Sequence, residues 1–202
     1  MDRLSARDLH LFELLSQLEK PYLSVADLEK ILGLKRESLY VALHRLVRSG
    51  ALNRLRRGVY HFSLRPEDLP RIANLLYQPS YVSFESAMAR YGIVSQVPYT
   101  VTFATPRRTK RMRLGDTQVE FHQVREDLFF GYVLEQALYV AEPEKALLDQ
   151  VYLKRRGKVS LALEDLDLSG LNVERLREYA RRFPAYVGAS LQELLPFSAF
   201  SS

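Results

Sequence analysis

The stretch GLKRESLYVALHRLVRSGALNRLRRGVY, residues 33–60, leaves the chain few ways to fold. Leu39, Ala42, Leu43, Leu46 and Val47 recur at i, i+3, i+4, i+7 and i+8, which on an α-helix makes a single apolar stripe. Glu37, Tyr40, Val41, His44, Arg45 and Arg48 take the opposite side. Gly50 offers the left-handed residue that stops a helix, and residues 51–55 and 59–62 read as two short strands around Arg56-Arg57-Gly58. The segment is thus a helix followed by a basic hairpin. Between residues 35 and 57, seven basic side chains (Lys35, Arg36, Arg45, Arg48, Arg54, Arg56 and Arg57) stand against one acid, Glu37. Such a local excess suits a polyanionic duplex.

Charge along the whole chain sharpens that reading. Residues 1–65 hold 12 Lys or Arg and 7 Asp or Glu, whereas residues 66–202 hold 17 of each, so the net charge of +5 comes entirely from the first third. A polyanion partner is expected there. A chain of 202 residues suggests one or two domains. With no cysteine, a disulfide framework, thiol catalysis and cysteine-ligated zinc are excluded. Neither a signal peptide nor a membrane anchor is expected, because MDRLSARDLHLF mixes acids with bases and no stretch approaches the ~20 apolar residues of a bilayer span. A cytoplasmic location follows as the expectation.

Upstream of residue 33, Ser5 with Asp8 approximates a capping box for a first helix over about residues 5–19, with Leu9, Phe12, Leu15 and Leu18 or Gln17 on its inner face. Ser24 with Asp27 predicts a second, short helix that buries Leu28, Ile31 and Leu32, and Gly33 closes it. Helix, glycine turn, helix and basic hairpin together predict a winged helix-turn-helix. In that arrangement Lys35, Arg36, Ser38, Tyr40, Val41, His44 and Arg45 meet base edges and nearby phosphates. Arg54, Arg56 and Arg57 on the wing track phosphates or enter the minor groove.

The remainder predicts an α+β domain, giving a division into residues 1–65 and 66–202. A helix is expected from Arg65-Pro66-Glu67-Asp68 with Ile72, Ala73, Leu75 and Leu76 inside, and another from Ser83 to Gly92. Tyr99, Val101 and Phe103 alternate with threonines as in a half-buried strand. TPRRTKRMR, residues 105–113, reads as a basic connection, and Arg107, Arg108, Lys110, Arg111 and Arg113 form a second basic surface. Gly115-Asp116 signals a hairpin, and residues 128–133 and 138–140 can add strands to a small, mostly antiparallel sheet. Helices follow from Glu142-Pro143-Glu144, from Asn172 to Phe183 and from Ser190 to Leu195.

PSYVSFESAMARYGI (79–93) and VAEPEKALLDQVYL (140–153), placed after a winged helix, resemble the AbiEi-type antitoxins of bacterial toxin-antitoxin systems. The resemblance runs over roughly residues 5–190. It implies a transcriptional autorepressor that binds inverted repeats in its own promoter, two copies to an operator, and a second domain that counteracts a nucleotidyltransferase toxin. The DNA-reading role would fall to Arg36, Ser38, Tyr40 and Arg45 and to the Arg56-Arg57-Gly58 wing. Tyr81, Ala87, Leu147 and Leu148 also have the spacing of core residues, and Ser83 and Glu142 that of helix caps.

Two other classes compete with this one. A winged helix can dock proteins in place of DNA. Asp116, Glu120, Glu144 and Lys145 supply the residue types of a metal-dependent nuclease, but Glu144 and Lys145 are adjacent at a helix start, so their side chains diverge by about 100°. No phosphate-binding glycine loop is present, and His61 and His122 lack a ligand spacing. No enzyme, cofactor or metal is expected.

Overall fold

A computed structural model describes residues 6–65, 68–155, 157 and 166–194. The chain divides into two compact units, Met1–Ile72 with Arg113–Asp116, and Ala73–Met112 with Thr117–Ser202.

The first unit runs α1 (Ala6–Ser16), β1 (Leu23–Ser24), α2 (Val25–Leu32), α3 (Arg36–Arg48), β2 (Leu52–Arg56) and β3 (Val59–Phe62). The strands form an antiparallel sheet in the order β1-β3-β2, with Leu23 opposite Tyr60 and Leu52 opposite Phe62. Leu39, Leu43 and Leu46 of α3 are buried with Leu15, Leu23, Leu28 and Phe62, so the stripe read from the sequence is the inner face of the helix. Burying each such leucine contributes about 1.5–3 kcal/mol.

Local chemistry sets the helix ends. Ser24 caps α2 by accepting from the Asp27 N–H at 3.1 Å, while Asp27 accepts in return from the Ser24 N–H, a reciprocal capping box. Gly33 ends α2 in the left-handed region, φ 58°, donating to the Glu29 carbonyl at 3.1 Å. Left-handed Gly50 lets the Ala51 N–H reach the Leu46 carbonyl at 3.0 Å, which turns the chain from α3 into β2.

The inner faces of α1 and α2 differ from expectation. α1 spans fewer residues than expected, and Leu9, placed inside from the sequence, is 48% exposed while Asp8 is buried. The face is rotated by one residue to Asp8, Leu11, Phe12 and Leu15, because Asp8 has an arginine to meet on α3. Ile31 of α2 is likewise exposed, and Leu28 is its fully buried leucine. The capping role expected of Ser5 lies outside the described residues, as do Pro66 and Glu67 at the next helix start.

The second unit comprises β4 (Tyr81–Val82), α5 (Phe84–Arg90), β5 (Thr100–Thr105), β6 (Lys110–Leu114), β7 (Thr117–Gln123), β8 (Tyr132–Glu135), β9 (Leu138–Ala141), α6 (Pro143–Arg155), α7 (Val173–Ala180) and α8 (Ala185–Leu194), entered through α4 (Leu69–Leu76). Its sheet has six strands in the order β6-β7-β5-β4-β9-β8. The sheet is mixed: β5 runs parallel to β7 and β4 parallel to β9. Parallel pairing arises because the chain leaves β5, passes to the edge as β6, and turns back at Gly115-Asp116 beside β5.

Several local expectations change with that topology. β5 sits between two neighbours and is covered on both faces, so Thr102 and Thr105 are buried with Phe103, while Tyr99 is fully exposed. Residues 110–113 belong to a strand, which shortens the expected basic connection. Residues 126–128 form a single 3-10 turn, and β8 begins only at Tyr132. In α4, Leu75 faces out and Asn74 in, because the Asn74 amide donates to the Ser80 carbonyl at 2.7 Å. α7 ends at Ala180 and α8 already begins at Ala185; Leu195 lies outside the described residues.

The PSYVS and EPEKALLD stretches meet inside this unit. Lys145 and Asp149, one turn apart on α6, are ion-paired and both 0% exposed. Lys145 Nζ donates to the Tyr81 hydroxyl at 2.8 Å, and the Tyr81 and Ser83 hydroxyls donate to Asp149 at 3.0 and 2.8 Å. Ser83 stands at the N-cap position of α5, but its side chain serves Asp149, not its own helix. Phenyl rings of Phe130 and Phe183 lie 5.1 and 5.0 Å from the ammonium. Burial pulls Lys145 below the ordinary lysine range against the opposing pull of Asp149, and burial pushes the Tyr81 phenol well above its own. Glu142 is held by Arg175 at 2.9 Å and by the Tyr179 hydroxyl, whose pKa is pushed up to about 12 by burial and that carboxylate.

Candidate nucleic-acid interface

α3 presents its outer face through ion pairs made by its flanks. At ~100° per residue, Glu37, Val41, His44 and Arg48 cluster along the outermost line, and Arg36 and Arg45 fall roughly a quarter turn to either side. Arg45 forks onto Asp8 of α1, with Nε 3.1 Å from both carboxylate oxygens and Nη2 2.9 Å from one. The guanidinium is 47% exposed and the carboxylate 4%, so Arg45 covers a buried charge while keeping one side in solvent. On the other flank, Arg36 pairs with Glu29 of α2 at 3.5 Å and lies over the Tyr40 ring, 6.0 Å from its centroid. Tyr40 and then Glu29 push the Arg36 guanidinium above its already high range.

The sequence assigned Arg36 and Arg45 to the DNA; the structure also assigns each an acid on another helix. Asp8 was the residue missed. The sequence spacing placed Leu9 rather than Asp8 on the inner face, and the partner that Asp8 meets lies 37 residues away on α3.

Of the other residues singled out on this segment, Lys35, Ser38, Tyr40, Val41 and His44 are exposed on α3 and the turn before it. Lys35 holds the N-cap position in an extended conformation without a side-chain cap. A cleft of about 210 Å³ beside them is lined by Asp8, Leu11, Leu34, Ser38, Val41, Ala42 and Arg45.

The hairpin is short. Left-handed Gly58, φ 79°, makes its turn, and the Gly58 carbonyl accepts from the Val25 N–H at 3.1 Å, which ties the turn to the start of α2. A register shift between Arg54 and Arg56 leaves Arg54 and Arg57 exposed and Arg56 half-buried. Arg54 stands opposite Tyr60, whose phenol burial pushes up.

In the second unit, Arg107 and Lys110 both lie 4.5 Å from the Tyr77 ring centroid, and Arg107 donates to the Gln78 carbonyl at 2.8 Å. Arg108 is exposed, and Arg111 pairs with Glu120 at 3.2 Å. Arg113, counted with the first unit, pairs with Asp116 at 3.0 Å. The five cations thus do not form one equivalent cluster, since two have carboxylate partners.

The acids considered for nuclease chemistry are spread out and engaged. Asp116 holds Arg113, Glu120 holds Arg111 and stands 3.5 Å from His122, Glu144 accepts from the Asn172 N–H at 2.7 Å, and Lys145 is buried on Asp149. Among the described residues no group of three or more His, Cys, Asp or Glu could hold a metal ion. No helix among them is long and apolar enough to cross a membrane.

Residues 11–62, which hold most of the three packed helices and all of the hairpin, match a family model. The family is described as a transcriptional regulator, the AbiEi antitoxin. The matched span runs from within α1 to the end of β3; the PSYVS and EPEKALLD stretches lie beyond it. No curated protein matches the chain.

Proposed function

We propose that the first unit is a winged helix-turn-helix that binds double-stranded DNA, with α3 in the major groove and the β2–β3 hairpin as the wing, and that the protein is an autorepressor and antitoxin of a toxin-antitoxin operon. The observation that carries this reading is the exposed outer face of α3, framed by Arg36 and Arg45, within a span that matches AbiEi regulators. α1 and α2 brace α3 from behind. Lys35 and the hairpin arginines Arg54, Arg56 and Arg57 neutralise phosphates, and Ser38, Tyr40, Val41 and His44 meet base edges. Two copies on an inverted repeat would place their α3 helices one helical turn of DNA apart, about 34–36 Å, or a multiple of it.

The working division is residues 1–65 for DNA and 66–202 for the companion domain. That domain would counteract a nucleotidyltransferase toxin, with the basic residues Arg107, Arg108 and Lys110 as its contact surface. Its buried lysine network has a scaffold role in this account. The protein acts in the cytoplasm.

A mobility-shift titration of the full chain against the DNA upstream of its own reading frame, at two salt concentrations, tests the reading. Affinity is expected to fall steeply with salt, with a log–log slope of several units. Salt-insensitive or absent binding refutes it, and co-expression with the neighbouring toxin gene tests the antitoxin half separately.

A further inference from the structure

The outermost line of α3 carries Glu37, Val41 and His44 beside Arg48, with Arg36 and Arg45 on its flanks. Val41 is 55% exposed, the most exposed large hydrophobic of the three N-terminal helices, and it stands between Glu37 and His44 on the outermost line. An exposed β-branched residue lowers helix propensity slightly and gains nothing from water. Glu37 beside it is exposed and carries the wrong sign for a phosphate. Both features fit base edges, where a carboxylate can accept from a cytosine amino group and an apolar group can meet a thymine methyl. Arg36 and Arg45, which composition alone would nominate as base readers, are each oriented by an acid on a bracing helix, Glu29 and Asp8.

We propose that sequence selection on α3 falls to this apex, with Val41 packing against the C5-methyl of a thymine in the major groove, while Arg36 and Arg45 hold the helix and contact DNA without choosing bases. This inference rests on the DNA-binding reading. One desolvated methyl corresponds to about fourfold in affinity.

The test selects duplexes from a randomised double-stranded pool with the full-length chain, then replaces each preferred thymine by uracil, one at a time. Uracil keeps every hydrogen-bonding group and removes only the methyl. The wild-type chain is expected to select a consensus containing a thymine whose replacement weakens binding about fourfold. Val41→Ser is expected to bind thymine and uracil duplexes equally, and its surface position leaves folding unchanged by circular dichroism. Arg36→Ala is expected to bind all duplexes more weakly but to keep the consensus and the fourfold ratio. Indifference of the wild-type chain to every uracil, or a Val41→Ser chain that keeps the thymine preference, overturns the assignment to Val41. A new consensus for Arg36→Ala overturns the bracing role. A wild-type chain that binds no duplex even at low salt overturns the DNA-binding reading itself, whereas salt-dependent binding without thymine preference overturns the Val41 inference alone.

Discussion

Replacing Asp149 by alanine removes the carboxylate that pairs with Lys145, two residues with no exposed side-chain surface at all. Three groups then lose an acceptor: the Lys145 ammonium and the hydroxyls of Tyr81 and Ser83. Breaking a buried ion pair from one side costs about 3–5 kcal/mol, since the remaining charge stays in a low-dielectric interior. Each orphaned hydroxyl adds about 1 kcal/mol at the low end, and the terms overlap because they share one acceptor. The aromatic rings around the ammonium offset a part, so a net loss of about 4–5 kcal/mol is expected. That is a large fraction of the ~5–15 kcal/mol that keeps a domain folded. Replacing the pair together, Lys145→Met with Asp149→Leu, removes both charges and is expected to recover most of the loss, giving a coupling of about 3 kcal/mol in a double-mutant cycle. The chain has no tryptophan and 12 tyrosines, so urea unfolding is followed by tyrosine emission and circular dichroism. At ~2 kcal/mol per molar urea the transition assigned to the second unit should move down by about 2 M in Asp149→Ala. A shift below about 0.5 M, or a coupling near zero, would refute the view that this network is mutually dependent.

Asp27 supplies a pH-dependent prediction. Lys20, at 2.5 Å, and Ser24 hold its carboxyl below the ordinary aspartate range. A depressed folded value means stability that is present above the unfolded pKa, near 3.9, and is lost as pH falls through the folded one. Asp27→Asn is expected to cost about 0.5–1 kcal/mol at neutral pH, discounted because both partners are partly solvated, and the gap to wild type should close below about pH 4 in parallel melts. Gly33→Ala has open space for its methyl but imposes φ 58° on an L-residue, so a loss of about 1–2 kcal/mol is expected from thermal unfolding, and no loss would refute the left-handed turn. Arg57→Ala is expected to weaken DNA binding alike on all sequences and to make the salt slope shallower by about one unit; an altered sequence preference in a binding competition would show the wing reading bases.

Periodicity fixed the inner face of α3, because five apolar residues at helical spacing permit one orientation. Glycines at 33, 50, 58 and 115 marked turns correctly, because the φ they adopt is costly for other residues. The charge distribution pointed to the first third of the chain because a sum over residues needs no coordinates. Those are statements about near neighbours and totals. Which way Asp8 faces, whether β7 runs parallel or antiparallel to β5, and that Ser83 serves Asp149 in place of its own helix depend on residues 37, 18 and 66 positions apart. A hydrogen bond or ion pair is selected by what the fold brings within about 3 Å, and no local pattern encodes that distance. The same cause separates the two readings of Arg36 and Arg45: their charge was legible from the chain, but the carboxylates that orient them became visible only once the helices were packed.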